Sequence, residues 1–158
     1  MTNDPYTPPS APVRDRLPEP GGSAWKAVAF GVLADVLATF VGSIVLFAVL
    51  GSFMVSQGAS AENLDANLMS SDVTILLGLA LGLACTVLGG YVTARVARRR
   101  EYYHALLTGI VVLVLGEVML SGSPDGAPLA VRIIGNILVI PAALVGAYLC
   151  KSARLQEQ

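Results

Sequence analysis

The stretch that decides the fold is residues 89–103, GGYVTARVARRREYY. Two glycines and a tyrosine lead into four arginines, Arg95, Arg98, Arg99 and Arg100, after which the chain becomes apolar again. Such a pattern has three interpretations: a phosphate-binding loop, a nucleic-acid patch, or the end of one membrane-spanning segment just before the next. The rest of the chain distinguishes between them.

The composition is that of a membrane protein. Of the 158 residues, 54% are apolar and only 13% are charged, and the mean hydropathy is +0.69. Soluble domains use about 25% charged residues, so about half of the expected charge is missing. The formal net charge of −1 also argues against a general attraction to nucleic acid. We therefore predict an integral membrane protein.

Four long apolar runs cover most of the chain, at about residues 25–55, 73–97, 103–120 and 130–150. A helix needs about 20 residues to cross a hydrocarbon core of about 30 Å. The runs predict an all-α bundle of four transmembrane helices within residues 24–154, followed by a tail at 155–158. A short loop joins the second and third helices, and it contains the arginines.

Residues 1–23 precede the first run and contain six of the nine prolines. With almost no large apolar residue, this segment cannot offset its ordering entropy, so we predict a disordered tail. It also places the first run too far into the chain for a cleaved signal peptide. We expect that run to remain as an anchor.

Basic residues predict the orientation. Nine of the ten Lys and Arg residues fall on one side if the runs alternate across the membrane, and Arg132 is the exception: the nine are Arg14, Arg16, Lys26, Arg95, Arg98, Arg99, Arg100, Lys151 and Arg154. Positively charged residues near span ends mark the cytoplasmic side. Both termini and the arginine loop are therefore predicted to be cytoplasmic, and nucleic acid is not expected as a partner.

The two outer loops differ in character. In the first, SQGASAENLDANLMSSD, Ser60 is predicted to N-cap a short interfacial helix with Glu62 in its first turn and Leu64 and Leu68 on its apolar edge. The second, SGSPDGAP, is predicted to form a tight turn because it contains Pro-Asp-Gly. The third and fourth runs are then antiparallel neighbours.

Three polar residues within the runs are candidate functional groups, because ionisable groups inside a membrane are costly. Asp35 is predicted to lie about 15 Å from the cytoplasmic side, and Glu117 and Asn136 about 21 Å from it. Arg132 lies one turn from Asn136 on the same face. Glu117, Arg132 and Asn136 are thus predicted to form a cluster, either a relay or polar lining for a substrate, or a structural clamp between helices.

Asp35 has no obvious partner at its own depth. It is expected to be protonated, to meet a neighbouring subunit, or to bond the hydroxyl of Thr39, Ser43 or Thr86. If the protein transports an ion, Asp35 is the leading candidate for the path.

Small residues at four-residue spacing predict close helix contacts, within the bundle or between copies of the chain. They are Gly78 with Gly82, Ala80 with Ala84, and Ala38 with Gly42. Cys85 and Cys150 lack the spacing of a disulfide framework or a zinc site, and His104 is expected at the interface beside two tyrosines. The chain has no HExxH, P-loop or nucleophile–histidine motif, so no enzyme activity, metal or cofactor is predicted.

The stretch LGGYVTARVARRREYYHALLTGI resembles small bacterial inner-membrane proteins of four helices. In that uncharacterised group a GGY-x-x-AR-x-A motif closes the second helix, as residues 89–97 do here, and an element like His104-Ala105-Leu106 opens the third. The later PAALVGAYL, residues 141–149, is similar to their closing helix. The resemblance covers about residues 25–154 and implies a fold and a location, but no reaction and no ligand.

Three functions remain open. The first is a non-enzymatic interaction or accessory protein that self-associates through its small-residue faces and whose protein partner is unknown. The second is a small oligomeric transporter or channel lined by Asp35 and the Glu117 cluster. The third is an anionic-lipid-binding protein in which Arg95, Arg98, Arg99 and Arg100 hold headgroups.

Overall fold

A computed structural model describes residues 23–60, 63–97, 100–120 and 128–156. The predicted disordered tail, Glu62, Arg98, Arg99 and almost all of the predicted Pro-Asp-Gly turn lie outside these ranges. The following description concerns the residues within them.

The described chain is all helical. Its five helices are α1 (Ala24–Ser56), α2 (Leu64–Ser70), α3 (Asp72–Ala97), α4 (Glu101–Leu120) and α5 (Leu129–Gln156). All but α2 are long and apolar enough to cross a membrane, which confirms the prediction of four candidate spans and suggests a multi-pass membrane protein. The last helix continues past the predicted end at residue 150 and includes residues that were predicted to form the tail.

Helix α3 is the centre of the bundle, because it contacts α1, α4 and α5. Its two adjacent glycines make the closest approaches. A Cβ atom on Gly89 would lie 2.9 Å from the carbonyl oxygen of Gly31 on α1, and one on Gly90 would collide with the backbone of Ala143 on α5. A Cβ atom on Gly146 of α5 would in turn collide with the α3 backbone. The glycine pair therefore lets α3 pack backbone to backbone against two helices.

Helix α1 is the least buried of the four long helices. Only 6% of its most apolar stretch is buried, against 28% in α3 and 28% in α5. Its buried residues lie mainly near its start, at Ala27, Val28, Gly31 and Asp35, with Gly51 near its end. Apolar side chains cover the remainder of its surface, as a helix in contact with hydrocarbon requires.

The short helix predicted between the first two long helices is present, but it begins later than predicted. Asn63, not Ser60, is at its N-cap position, where no side chain caps the helix. The Ser60 hydroxyl instead accepts a hydrogen bond from the Asn63 side chain at 3.4 Å, and Asp65 is the acidic residue of the first turn. Leu68 is almost completely buried, at 4% exposure, so the predicted apolar edge packs against the bundle.

The connection between α3 and α4 is shorter than predicted, because α4 begins at Glu101 and not at Tyr103. Arg100 has a positive φ of 50°, which reverses the chain in the left-handed region. Arg154 of α5 holds this turn: its guanidinium donates to the Ala94 and Arg95 carbonyls at 3.2 and 3.0 Å and forms an ion pair with Glu101. These bonds satisfy carbonyls that have no partner within the last turn of α3.

Candidate functional site

Glu117, Arg132 and Asn136 are brought together between α4 and α5. The Arg132 Nη2 atom donates to Glu117 Oε2 at 2.5 Å, and Asn136 Nδ2 donates to Glu117 Oε1 at 2.6 Å. Both carboxylate oxygens are therefore engaged. The two charged side chains are about one-third exposed, at 33% for Arg132 and 34% for Glu117. A carboxylate bonded to a guanidinium and to an amide is electrically balanced within the helix pair.

Asp35 is not part of that cluster, because it lies between α1 and α3. Asp35 is only 5% exposed. A Cβ atom added to Gly89 would lie 2.9 Å from the Cβ atom of Asp35. Of the three hydroxyls predicted as partners, Thr86 is the one that lies close enough to interact with the carboxyl group. A buried carboxyl group is expected to have a hydrogen-bond partner at each oxygen, but within the described residues Oδ1 of Asp35 has none.

A buried ladder of hydroxyl groups continues from this contact toward the α3–α4 turn. Thr93 Oγ1 and Thr108 Oγ1 lie 2.9 Å apart, so that one hydroxyl can donate to the other. Each also lies within hydrogen-bond distance of a carbonyl of its own helix, that of Gly89 at 2.9 Å and that of His104 at 3.1 Å. Both threonines are fully buried. Their side-chain hydroxyls are thereby satisfied without charge, and they join α3 to α4.

His104 lies in the first turn of α4, beside the α3–α4 turn. Its side chain is 9% exposed, and its Nδ1 atom lies 3.0 Å from the Arg100 carbonyl oxygen. The ring meets Tyr103 edge to face at a centroid distance of 5.7 Å. Since Arg100 forms the turn, His104 helps to fix the start of α4.

The small residues predicted to mediate helix contacts do so only in part. Gly42 of α1 packs on α3, where a Cβ atom would lie 2.9 Å from Leu81. Gly78 and Gly82, by contrast, face open space, with nothing within 4 Å of an added Cβ. The close approaches inside the bundle occur instead at Gly31, Gly89, Gly90 and Gly146.

The basic residues proposed for headgroups lie at the α3–α4 turn, where Arg95 and Arg100 are exposed. Arg98 and Arg99 are outside the described residues. Nearby, a shallow groove of about 220 Å³ is lined by Tyr102, Tyr148, Lys151, Ser152 and Leu155. The Lys151 ammonium stands 5.7 Å from the centre of the Tyr102 ring, within the range of a cation–π contact.

Neither a metal site nor a disulfide emerges from the described residues. Cys85 and Cys150 are free thiols and both are buried. No group of three or more His, Cys, Asp or Glu side chains within the described ranges is placed to hold a metal ion.

Comparison with known proteins adds no relative. No family, curated protein or solved structure matches this chain. The function must therefore be argued from the chain's own residues.

Two features of the site were missed in the sequence. One is the Thr93–Thr108 pair. Each of these threonines lies four residues after the residue whose carbonyl it can bond, which is Gly89 for Thr93 and His104 for Thr108. The other is the ion pair between Arg154 and Glu101. Those two residues are 53 positions apart, and no local pattern connects them.

Proposed function

We propose that this protein is a non-enzymatic, multi-pass protein of the bacterial inner membrane that acts as an interaction or accessory protein. Its termini and the α3–α4 turn are in the cytoplasm. The proposal has three parts, the location, the orientation and the role, and each has its own support and its own experiment.

The location is supported by the four long apolar helices and by a physical account of the motif GGY-x-x-AR-x-A. Its small residues, Gly89, Gly90, Ala94 and Ala97, are all buried. The motif is therefore a pattern for close packing of one helix against its neighbours. This packing role of the motif supports the proposal that the chain belongs with the small bacterial four-helix proteins that it resembles.

The orientation is supported by the nine basic residues that fall on one side of alternating spans. A C-terminal green fluorescent protein fusion should fluoresce in bacterial cells. The matched alkaline phosphatase fusion at the same residue should be inactive, because that enzyme requires the oxidising periplasm. An active phosphatase fusion would reverse the proposed orientation.

The observation that carries the accessory role is the closed state of the polar cluster. Arg132 and Asn136 both donate hydrogen bonds to the Glu117 carboxylate. The cluster therefore clamps α4 to α5 and presents no free charge to a substrate. The two grooves on the described surface lie elsewhere: one of about 430 Å³ is lined by Phe47, Leu64, Asp65, Leu68 and Met69, and the other is at the cytoplasmic end.

Proteoliposomes test this role. Purified protein should produce no proton, sodium or potassium flux above that of empty vesicles. Glu117→Gln should lower the melting temperature in detergent and still produce no flux. Ion flux that requires Glu117 or Asp35 would reject the accessory role in favour of transport.

A small oligomeric transporter or channel is the second candidate, and Asp35 is the observation that favours it. Its Oδ1 atom is buried without a partner among the described residues, as expected of a group that exchanges a ligand. Flux that is lost in Asp35→Asn but retained in Thr39→Val would support transport, because Thr39 lies one turn from Asp35 on the same helix.

Anionic-lipid binding is the third candidate, supported by the exposed Arg95 and Arg100 next to the groove that contains Lys151. Native mass spectrometry of protein from membranes containing phosphatidylglycerol and cardiolipin would detect retained lipid. Neutralising Arg98, Arg99 and Arg100 to Gln should remove that lipid if the arginines bind it. Retention by the triple variant would eliminate the arginine site.

Self-association is proposed through the exposed face of α3 that contains Gly78 and Gly82. Nothing in the described chain lies within 4 Å of a Cβ atom added to either glycine, so a second copy could approach the backbone there. Replacing both with Ile should convert a dimer to a monomer on size-exclusion chromatography in detergent. The matched pair Leu77→Ile and Leu83→Ile should leave the dimer intact.

A further inference from the structure

The contact between α1 and α3 contains a carboxyl group whose charge nothing nearby balances. Asp35 is 5% exposed and is held against Gly89 and Thr86 of α3. In contrast to Glu117, it forms neither of the ion pairs found in the described residues. A buried charge without a partner is unstable in a helical bundle.

Among the described residues no hydrogen-bond donor reaches Asp35 Oδ1, whereas carbonyl acceptors lie close to the carboxyl group. The single hydroxyl hydrogen of Thr86 is directed to the Gly82 carbonyl at 3.0 Å. The nearby Gly89 carbonyl is an acceptor and already receives the Thr93 hydroxyl at 2.9 Å. A carboxylate can only accept hydrogen bonds, whereas a carboxylic acid has one hydrogen to donate. Only the acid form therefore matches these surroundings.

The other ionisable groups on the helices around Asp35 do not supply a compensating charge. On α1 the nearest charged residue is Lys26, more than two turns away. Between Asp72 and Arg95, α3 has only the ionisable residues Cys85 and Tyr91, and neither is cationic. On α4, His104 bonds to the Arg100 carbonyl, and between it and Glu117 that helix has no ionisable residue. Asp65 of α2 lies beside the groove with Phe47 and Leu64, toward the other end of α1.

We propose that Asp35 is a proton-binding site: it is held as the neutral acid and donates its proton to Thr86 Oγ1, which donates in turn to the Gly82 carbonyl. The bound proton completes a chain of two hydrogen bonds that joins α1 to α3. Asp35 would bind this proton in an accessory protein and in a transporter alike, because only the packing of α1 on α3 is involved.

Release of the proton would require α1 to separate from α3. The two helices are in close contact at Asp35, since even a methyl group on Gly89 would lie 2.9 Å from both Asp35 Cβ and the Gly31 carbonyl oxygen. Helix α1 is also the least buried of the four long helices. Deprotonation therefore couples to the contact that holds α1 in the bundle.

Infrared spectroscopy of the purified, lipid-reconstituted protein tests the protonation state directly. At neutral pH the wild type should show a carboxylic acid C=O band that Asp35→Asn abolishes and that Glu117→Gln retains. The comparison with Asp35→Asn assigns the band, because every other Asp and Glu side chain is common to the two proteins. A wild type without an acid band, or one whose acid band disappears in Glu117→Gln, would overturn the proposal.

A pH titration of the wild type keeps the test valid if Asp35→Asn does not fold. As the pH is raised, the acid band should disappear together with a fall in melting temperature, because the ionised group can no longer be accommodated. In Asp35→Asn, where it folds, the melting temperature should lack this alkaline fall. An acid band that titrates without any change in melting temperature would contradict the coupling to α1.

Discussion

The two acidic groups inside the bundle are stabilised in opposite ways. Glu117 is about one-third exposed, and its two carboxylate oxygens accept from Arg132 and Asn136. Asp35 is almost completely buried, is close to the α3 backbone, and has one oxygen without a partner in the described chain. We call the first group the outer clamp and the second, together with Gly31, Gly89 and Thr86, the glycine crossing.

The difference follows from the residues around each acid. Side chains long enough to reach a carboxylate surround Glu117, so its charge can be paired. At the glycine crossing the neighbours are glycines and a threonine, which allow the backbones to touch but provide no cation. A charged acid is therefore tolerated in the outer clamp, and a neutral acid is expected at the crossing.

The largest effect is expected from filling the glycine crossing. Gly89→Ala should destabilise the protein by about 1–3 kcal/mol, because the added methyl group would press on Asp35 and on the α1 backbone. Gly78→Ala on the same helix is the control: it faces open space, and helix propensity alone should raise stability by about 0.5–1 kcal/mol. Thermal unfolding in detergent gives both values. Equal effects of the two substitutions would show that the crossing is not tightly packed.

A smaller effect is expected from breaking the outer clamp. Arg132→Gln should lower the melting temperature by roughly 2–5 °C, because it leaves the Glu117 charge without its guanidinium partner. The double variant with Glu117→Gln should recover part of that loss, since no unpaired charge remains. If the double variant loses as much melting temperature as the two single variants together, the ion pair does not clamp α4 to α5.

The smallest effect is expected for the uncharged ladder that runs from the glycine crossing toward the α3–α4 turn. Thr108→Val should cost about 0.6 kcal/mol, the average of interhelical hydrogen bonds in membranes. The Thr93 hydroxyl would keep its bond to the Gly89 carbonyl and so would not be left unsatisfied. The matched control is Thr74→Val, a buried threonine near the opposite end of α3. A loss at Thr108 as large as that of Gly89→Ala would mean that hydroxyl pairing, not glycine contact, dominates the packing.

The sequence predicted the four long helices because apolar runs of spanning length are determined by local composition alone. It also placed Glu117 and Asn136 at one level, with Arg132 one turn away on the same face, since helical rise converts residue spacing to depth. It failed where the geometry depends on how helices meet. Gly78 and Gly82 have the spacing of a contact motif, yet the contacts occur at Gly89 and Gly90, because the direction in which a helix faces is set by its neighbours.

The predicted starts of the short helix and of the third span were wrong for a related reason. Ser60 has the chemistry of an N-cap, but the helix begins at Leu64, where Leu68 can be buried. Similarly, Tyr103 looked like the start of the third span, whereas Arg154 from the distant end of the chain holds Glu101 and extends α4 toward the turn. In both places a tertiary contact decides a boundary that local preference alone does not.

The most direct test of the difference between the two acids is a paired measurement of melting temperature at neutral pH for Asp35→Asn and Glu117→Gln. The account predicts that Asp35→Asn stays within about 2 °C of the wild type, because the Asn amide can donate to Thr86 Oγ1 as the neutral acid does. It predicts that Glu117→Gln melts lower, because Arg132 loses its counter-charge. A large fall for Asp35→Asn with no change for Glu117→Gln would contradict it.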